Sequence, residues 1–82
     1  MTPKPKPKKE YLVVLMYPDY IASNYGEDTF VFHTTDHHTS KAAIVAAQIR
    51  AHISNGRRSN SPLDFACVAC ISGSALKAEE IS

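Results

Sequence analysis

The apolar positions of this chain fall into three short runs and one longer periodic segment, separated by polar stretches. The periodic segment is Thr39 to Gly56, TSKAAIVAAQIRAHISNG. Ala42, Val45, Ala46, Ile49 and Ile53 recur at spacings of three and four, which stacks them on one side of a 3.6-residue helix. Ile44, Ala47 and Ala51 lie on a flanking line and widen the stripe, while Lys41, Gln48 and Arg50 are left for water. Its alanines favour the helix and let a sheet approach closely. A hydroxyl at Thr39 or Ser40 can accept a backbone N–H at the start. Asn55-Gly56 supplies the stop, since glycine can take the left-handed conformation that closes a helix. Arg57 and Arg58 follow, near the negative end of the helix dipole.

The short runs read as strands. Tyr11 to Tyr17, YLVVLMY, is continuously apolar and bounded by breakers, the pattern of a buried central strand. Pro18-Asp19 ends it. Residues 18–28, PDYIASNYGED, read as a loop, with turn chemistry from Asn24 to Asp28 and Gly26 free to take positive φ. Thr29 to Thr35, TFVFHTT, is β-branched and aromatic, hence a second strand. Phe30 and Phe32 share the face that should meet the helix; Val31 and His33 share the other. Asp36-His37-His38 is a polar connection into the helix, and Ser59 to Asp64 is a polar loop out of it. Phe65 to Ser72, FACVACIS, is the third strand, closed by Gly73.

The element order is thus β-β-α-β. The simplest arrangement is an α+β fold with a three-stranded antiparallel sheet of order 2-1-3 and the helix on one face. The most apolar run then takes the centre. The opposite face has no cover and is a candidate interface, including one between two copies of the chain. Residues 10–73 form the single domain. Residues 1–9, MTPKPKPKK, alternate proline and lysine and read as an extended tail. Residues 74–82, SALKAEEIS, read as a short frayed segment.

At 82 residues, 44% of them apolar and 21% charged, the composition is that of one small globular domain. A core of this size is marginal, so docking on a partner would help it. The net charge of +1 steers the chain toward neither nucleic acid nor membrane. No apolar run is long enough to span a bilayer, and no signal peptide is readable. Together with only two cysteines, this reads as a cytoplasmic protein.

Candidate chemistry is sparse. His33, His37, His38, Cys67 and Cys70 offer a tetrahedral zinc set on paper. Against it, residues three apart on a regular strand point to opposite faces, so Cys67 and Cys70 would diverge and read as two buried, inert thiols. Neither thiol has an evident oxyanion loop beside it, and no paired acids or phosphate-cradling glycines occur, so the reading is a non-enzyme without cofactor or metal. Nucleic-acid binding is the rival: Lys4, Lys6, Lys8, Lys9, Arg57 and Arg58 are the clustered cations, and Tyr17, Phe30 and Phe32 lie on strands as stacking platforms would. TFVFHTT carries no basic neighbour for them, however.

Protein contact fits better. Tyr20 and Tyr25, with Asn24, offer large amphipathic area and adaptable polar groups. Glu27, Asp28, Arg57 and Arg58 complete the candidate contact set. The β-β-α-β pattern, with TFVFHTTDHHTSKAAIVAAQIRAHI leading into DFACVACISG, resembles small accessory proteins of bacteriophages and mobile elements, anti-CRISPR proteins among them. The resemblance covers most of residues 10–73 and is one of architecture. It implies a phage-encoded inhibitor acting in the host cell by stoichiometric binding to a defence complex such as a CRISPR effector. Many such proteins are acidic DNA mimics. This chain is not acidic, so the resemblance implies steric blocking here.

Overall fold

Strand β1 (Lys9–Met16) lies between β2 (Thr29–His37) and β3 (Ala66–Ser72), antiparallel to both, in the computed structural model of the chain. The structure describes residues 9–72. The Pro/Lys tail before Lys9, the segment after Ser72 and the side chains of Thr35 and Asp36 lie outside the described residues. The α+β class and the 2-1-3 order are those the apolar runs predict. The central place of β1 follows from its composition: Val13 and Leu15 have no exposed surface, and only a middle strand pairs along both edges.

The register sorts the side chains. Val13 faces Phe32 and Cys70, and Leu15 faces Phe30 and Cys67. Residues directly opposite in an antiparallel pair share a face, so these line the helix side. Leu12, Val14 and Met16, opposite His33, Val31 and Thr29, line the other side. Phe30 and Phe32 do turn toward the helix, as their spacing predicts, and their rings stack 6.1 Å apart. β2 runs to His37, beyond the expected end at Thr35, with a bulge that sets Lys9 against His37 and Tyr11 against Thr34.

The connection between β1 and β2 is not the loop expected of residues 18–28. It holds a helix, α1 (Asp19–Tyr25). Pro18 sits at its N-cap with φ −64°, and Gly26 closes it with φ 69°, ψ 23°. The anchor is Ile21, fully buried. The turn residues around it masked one apolar side chain whose burial is enough to hold two turns in place.

The principal helix, α2 (Ser40–Asn55), begins where expected, with Thr39 Oγ1 accepting from Ala42 N at 3.1 Å. Its orientation corrects the expected one. Ala43, Ala47 and Ala51 are fully buried, whereas Val45 and Ile49 are 45% exposed and Ile53 70%. The stripe Ala42, Val45, Ala46, Ile49 and Ile53 faces away from the sheet. Volume explains this. The sheet and its flanks already supply Leu15, Tyr17, Phe30, Phe32 and Phe65, and a helix over so bulky a layer fits closely only through its alanines. Gln48, expected in water, is half-buried and donates through Nε2 to the Phe65 carbonyl at 2.8 Å. Arg50 stays exposed but lies over Phe32, 5.3 Å from the ring centroid.

Two 3-10 turns, Gly56–Arg58 and Pro62–Asp64, carry the chain from α2 to β3. Gly56 has φ 57°, a backbone state that disfavours other residues. Phe65, expected to open the third strand, precedes it and is one of the largest fully buried side chains.

Candidate interaction site

The sharp turn at Gly56 sends Arg58 back across the end of α1. Its guanidinium carbon lies 5.0 Å from the centroid of the Tyr25 ring. Its Nη1 is 3.7 Å from Glu27 Oε2, an ion pair with both side chains partly exposed. Tyr25 itself is 52% exposed. A cation over an aromatic face is attracted by the ring quadrupole, so ring and guanidinium hold each other in place at the surface. Three of the residues expected to make contacts, Tyr25, Glu27 and Arg58, are brought together at this corner.

Beneath them lies a layer the sequence did not advertise. The Tyr17 ring packs edge-on against Phe30 and Phe65, and its hydroxyl lies within electrostatic reach of Glu27 and Asn55. Burial, and next the Glu27 carboxylate, push the Tyr17 phenol above its ordinary range. Asn55 is buried and donates through Nδ2 to Ala51 O at 2.7 Å. Glu27 Oε2 and Asn55 Oδ1 are buried acceptors without a hydrogen-bond partner, and Arg58 is the cation beside the Glu27 oxygen, an arrangement that favours keeping Arg58 near. Asn55 reads in the sequence as a helix stop, and no pattern marks it as support for Glu27.

The other expected contact residues are placed differently. Tyr20 is half-buried and its hydroxyl is used inside the chain: it donates to Asp64 Oδ2 at 2.6 Å and accepts from Asn60 N at 2.9 Å. It struts α1 against the loop leading to β3. Asn24, Asp28 and Arg57 are exposed around the corner; the Asp28 carbonyl accepts from Tyr17 N at 3.3 Å.

The far side of the sheet is a second surface. Leu12, Val14, Ala69 and Ile71 are half-buried, Met16 is 48% exposed and Val31 59%. On the same strands, His33 Nε2 lies 2.7 Å from Glu10 Oε1, with both side chains half exposed.

The thiols depart from expectation. A bulge between Val14 and Leu15 pairs Cys70 with Val13 and Cys67 with Leu15. Because Val13 and Leu15 share a face, the bulge places both cysteines on the helix side, where a regular strand would separate them. Cys67 is exposed, not buried, and its thiol donates to Ala69 O at 3.5 Å. Cys70 is half-buried, and desolvation followed by the neighbouring Cys67 pushes its thiol up. His33 is on the opposite face and on the strand beyond β1, so it does not meet them. Among the described residues, no three His, Cys, Asp or Glu side chains gather as metal ligands would. Nor is any helix among them long and apolar enough to cross a membrane.

Comparison of the chain with protein-family models, with curated proteins and with solved structures finds no match in any of the three.

Proposed function

We propose that this chain is a small non-enzymatic binding protein, a phage inhibitor of the anti-CRISPR kind, which acts in the host cytoplasm by docking stoichiometrically on a protein defence complex. The observation that carries the reading is the Tyr25–Arg58 stack. Tyrosine and arginine are the residue types most enriched among binding anchors. Here one is half exposed and the other lies over it at 5.0 Å, with Glu27 alongside. Anchors already held in position lose little side-chain entropy on docking. Arg57, Asn24 and Asp28 would form the polar rim, and Tyr20 would act from behind by fixing α1.

The ion pair with Glu27 also weighs against phosphate as the target. A guanidinium already facing a carboxylate would have to exchange it for the phosphate, and the corner carries Asp28 as well.

The test is capture by the tagged chain of a defence complex from bacterial cells that carry CRISPR effectors, followed by titration of the purified pair. Effector activity should fall to a sharp end point at a fixed ratio of inhibitor to complex. Tyr25→Ala and Arg58→Ala should each weaken binding by about 2 kcal/mol, roughly 30-fold. Affinity should change little with salt, because only phosphate contacts release counterions in number. Unchanged affinity in both variants would remove the corner from the reading. A steep salt dependence with nucleic acid as the captured species would replace it with the nucleic-acid rival.

A further inference from the structure

Helix α2 is apolar on both sides. Ala43, Ala47 and Ala51 fill the core side, and Val45, Ile49 and Ile53 stand on the outer side, 45%, 45% and 70% exposed. The two apolar stripes are separated by polar flanks at Lys41 and Arg50, and an exposed apolar stripe of this kind marks a surface that meets a partner.

The outer side has its own period. Ala42 and Ile49 are seven residues apart, as are Ala46 and Ile53, and the four together step by four, three and four. That is the 3.5-residue seam of one helix packing on another. The core side steps by four throughout. The seam is also graded by size, with alanines in its first half and isoleucines in its second. Over the alanines lies a shallow hollow of about 440 Å³, lined by Thr39, Lys41, Ala42, Val45, Ala46 and Ile49.

We propose that the outer face of α2 docks on the same face of a second copy, the two helices antiparallel about a two-fold axis between Ala47 and Gln48. This register sets Ala42 against the partner's Ile53 and Ala46 against the partner's Ile49. Each isoleucine enters the hollow above an alanine. A parallel pairing in register would set isoleucine on isoleucine at one end and leave the alanine end open, which packs poorly. The two-fold brings like flanks together, so Arg50 runs beside the partner's Ala43 and Val45 beside the partner's His52, and no lysine or arginine faces another. Two-fold pairing requires one patch to complement itself, and the size gradient along this seam meets that requirement. A seam evolved for a foreign helix would have no reason to be its own complement. The contact is a single helix roughly 24 Å long, smaller than the ~800 Å² per partner of a standard interface. The dimer is therefore concentration-dependent.

Sedimentation equilibrium of the full chain from roughly 10 μM to 1 mM, the range where small interfaces dissociate, tests it. The wild type should pass from monomer to dimer. Ile49→Glu should be monomeric throughout, with an unchanged circular dichroism spectrum because the position is on the surface. Ala42→Ile should weaken dimerisation about tenfold, and Ala42→Ile with Ile53→Ala should recover to within about threefold of wild type, since the swap rebuilds a large–small pair. A wild type that stays monomeric overturns the proposal. So does a dimer that survives Ile49→Glu but is lost with Val31→Glu, which would lie on the open sheet face. Failure of the double swap to recover overturns the antiparallel register.

Discussion

The side-chain amide of Gln48 donates to the backbone carbonyl of Phe65 at 2.8 Å. This bond ties the middle of α2 to the residue just before β3, a separation of 17 residues in the chain. It also fixes the rotation of α2, because Gln48 can reach Phe65 only when the alanine line faces the sheet. Removing the donor leaves a buried carbonyl unpaired. Gln48→Ala should lower stability by about 1–2 kcal/mol. Gln48→Glu should do at least as much at neutral pH, since a carboxylate cannot donate. Urea unfolding midpoints at constant slope provide the measurement; a Gln48→Ala midpoint equal to wild type would mean the bond does not form in solution.

The orientation of α2 makes a second and opposite pair of predictions. Ala47 is fully buried beneath the aromatic layer, so Ala47→Leu should overpack it and cost about 1–3 kcal/mol. Ile53 is 70% exposed, and Ile53→Ala should change the stability of the monomer by no more than about 0.5 kcal/mol. Had the more hydrophobic stripe faced inward, Ile53→Ala would cost several times that. Chemical unfolding at low protein concentration, where association is negligible, separates the two orientations.

That reversal also shows where the sequence was and was not legible. The strands, their order and the caps of α2 follow from local pattern, because β1 is apolar on both faces and Thr39 and Gly56 punctuate plainly. Which side of α2 is buried does not follow from hydrophobicity, since both sides are apolar. It is decided by volume, and the bulk of Phe30, Phe32 and Phe65 becomes visible only once the sheet is assembled. α1 was hidden for another reason: its single buried residue, Ile21, sits among turn-forming neighbours. At the candidate site, Tyr25, Glu27 and Arg58 were readable as residue types suited to contact. Their meeting depends on the turn at Gly56, and the support from Tyr17 and Asn55 depends on contacts far apart in the chain.

The bulge in β3 predicts unequal thiols. Cys67 is exposed, while Cys70 is half-buried with its thiol pushed up by desolvation and by Cys67. The thiolate is the reactive form. At mildly alkaline pH, Cys67 should therefore react with an aromatic disulfide reagent well before Cys70, giving two kinetic phases. Cys67→Ser should abolish the fast phase and leave the slow one. A single phase at equal rates would show that both thiols are equally accessible and that the bulge does not persist.

Tyr17 supplies the pH dependence. Burial, and then Glu27, raise its phenol above the ordinary value of 10.0 in the folded chain. On unfolding the phenol returns to its ordinary range, so the unfolded state releases this proton at lower pH than the folded state does. The contribution to stability is therefore complete below about pH 10 and is lost as the pH rises through the folded value. Tyr20 shifts in the same direction, through desolvation and then its bond to Asp64, so the wild-type loss is the sum of two phenols. Tyr17→Phe should flatten the decline of unfolding free energy above pH 10 without removing it, and Tyr17→Phe with Tyr20→Phe should flatten it further. Absorbance near 295 nm should show Tyr17 ionising above the ordinary phenol range. A Tyr17→Phe curve parallel to wild type through the alkaline range would mean that the phenol titrates alike in both states and is not held beside Glu27.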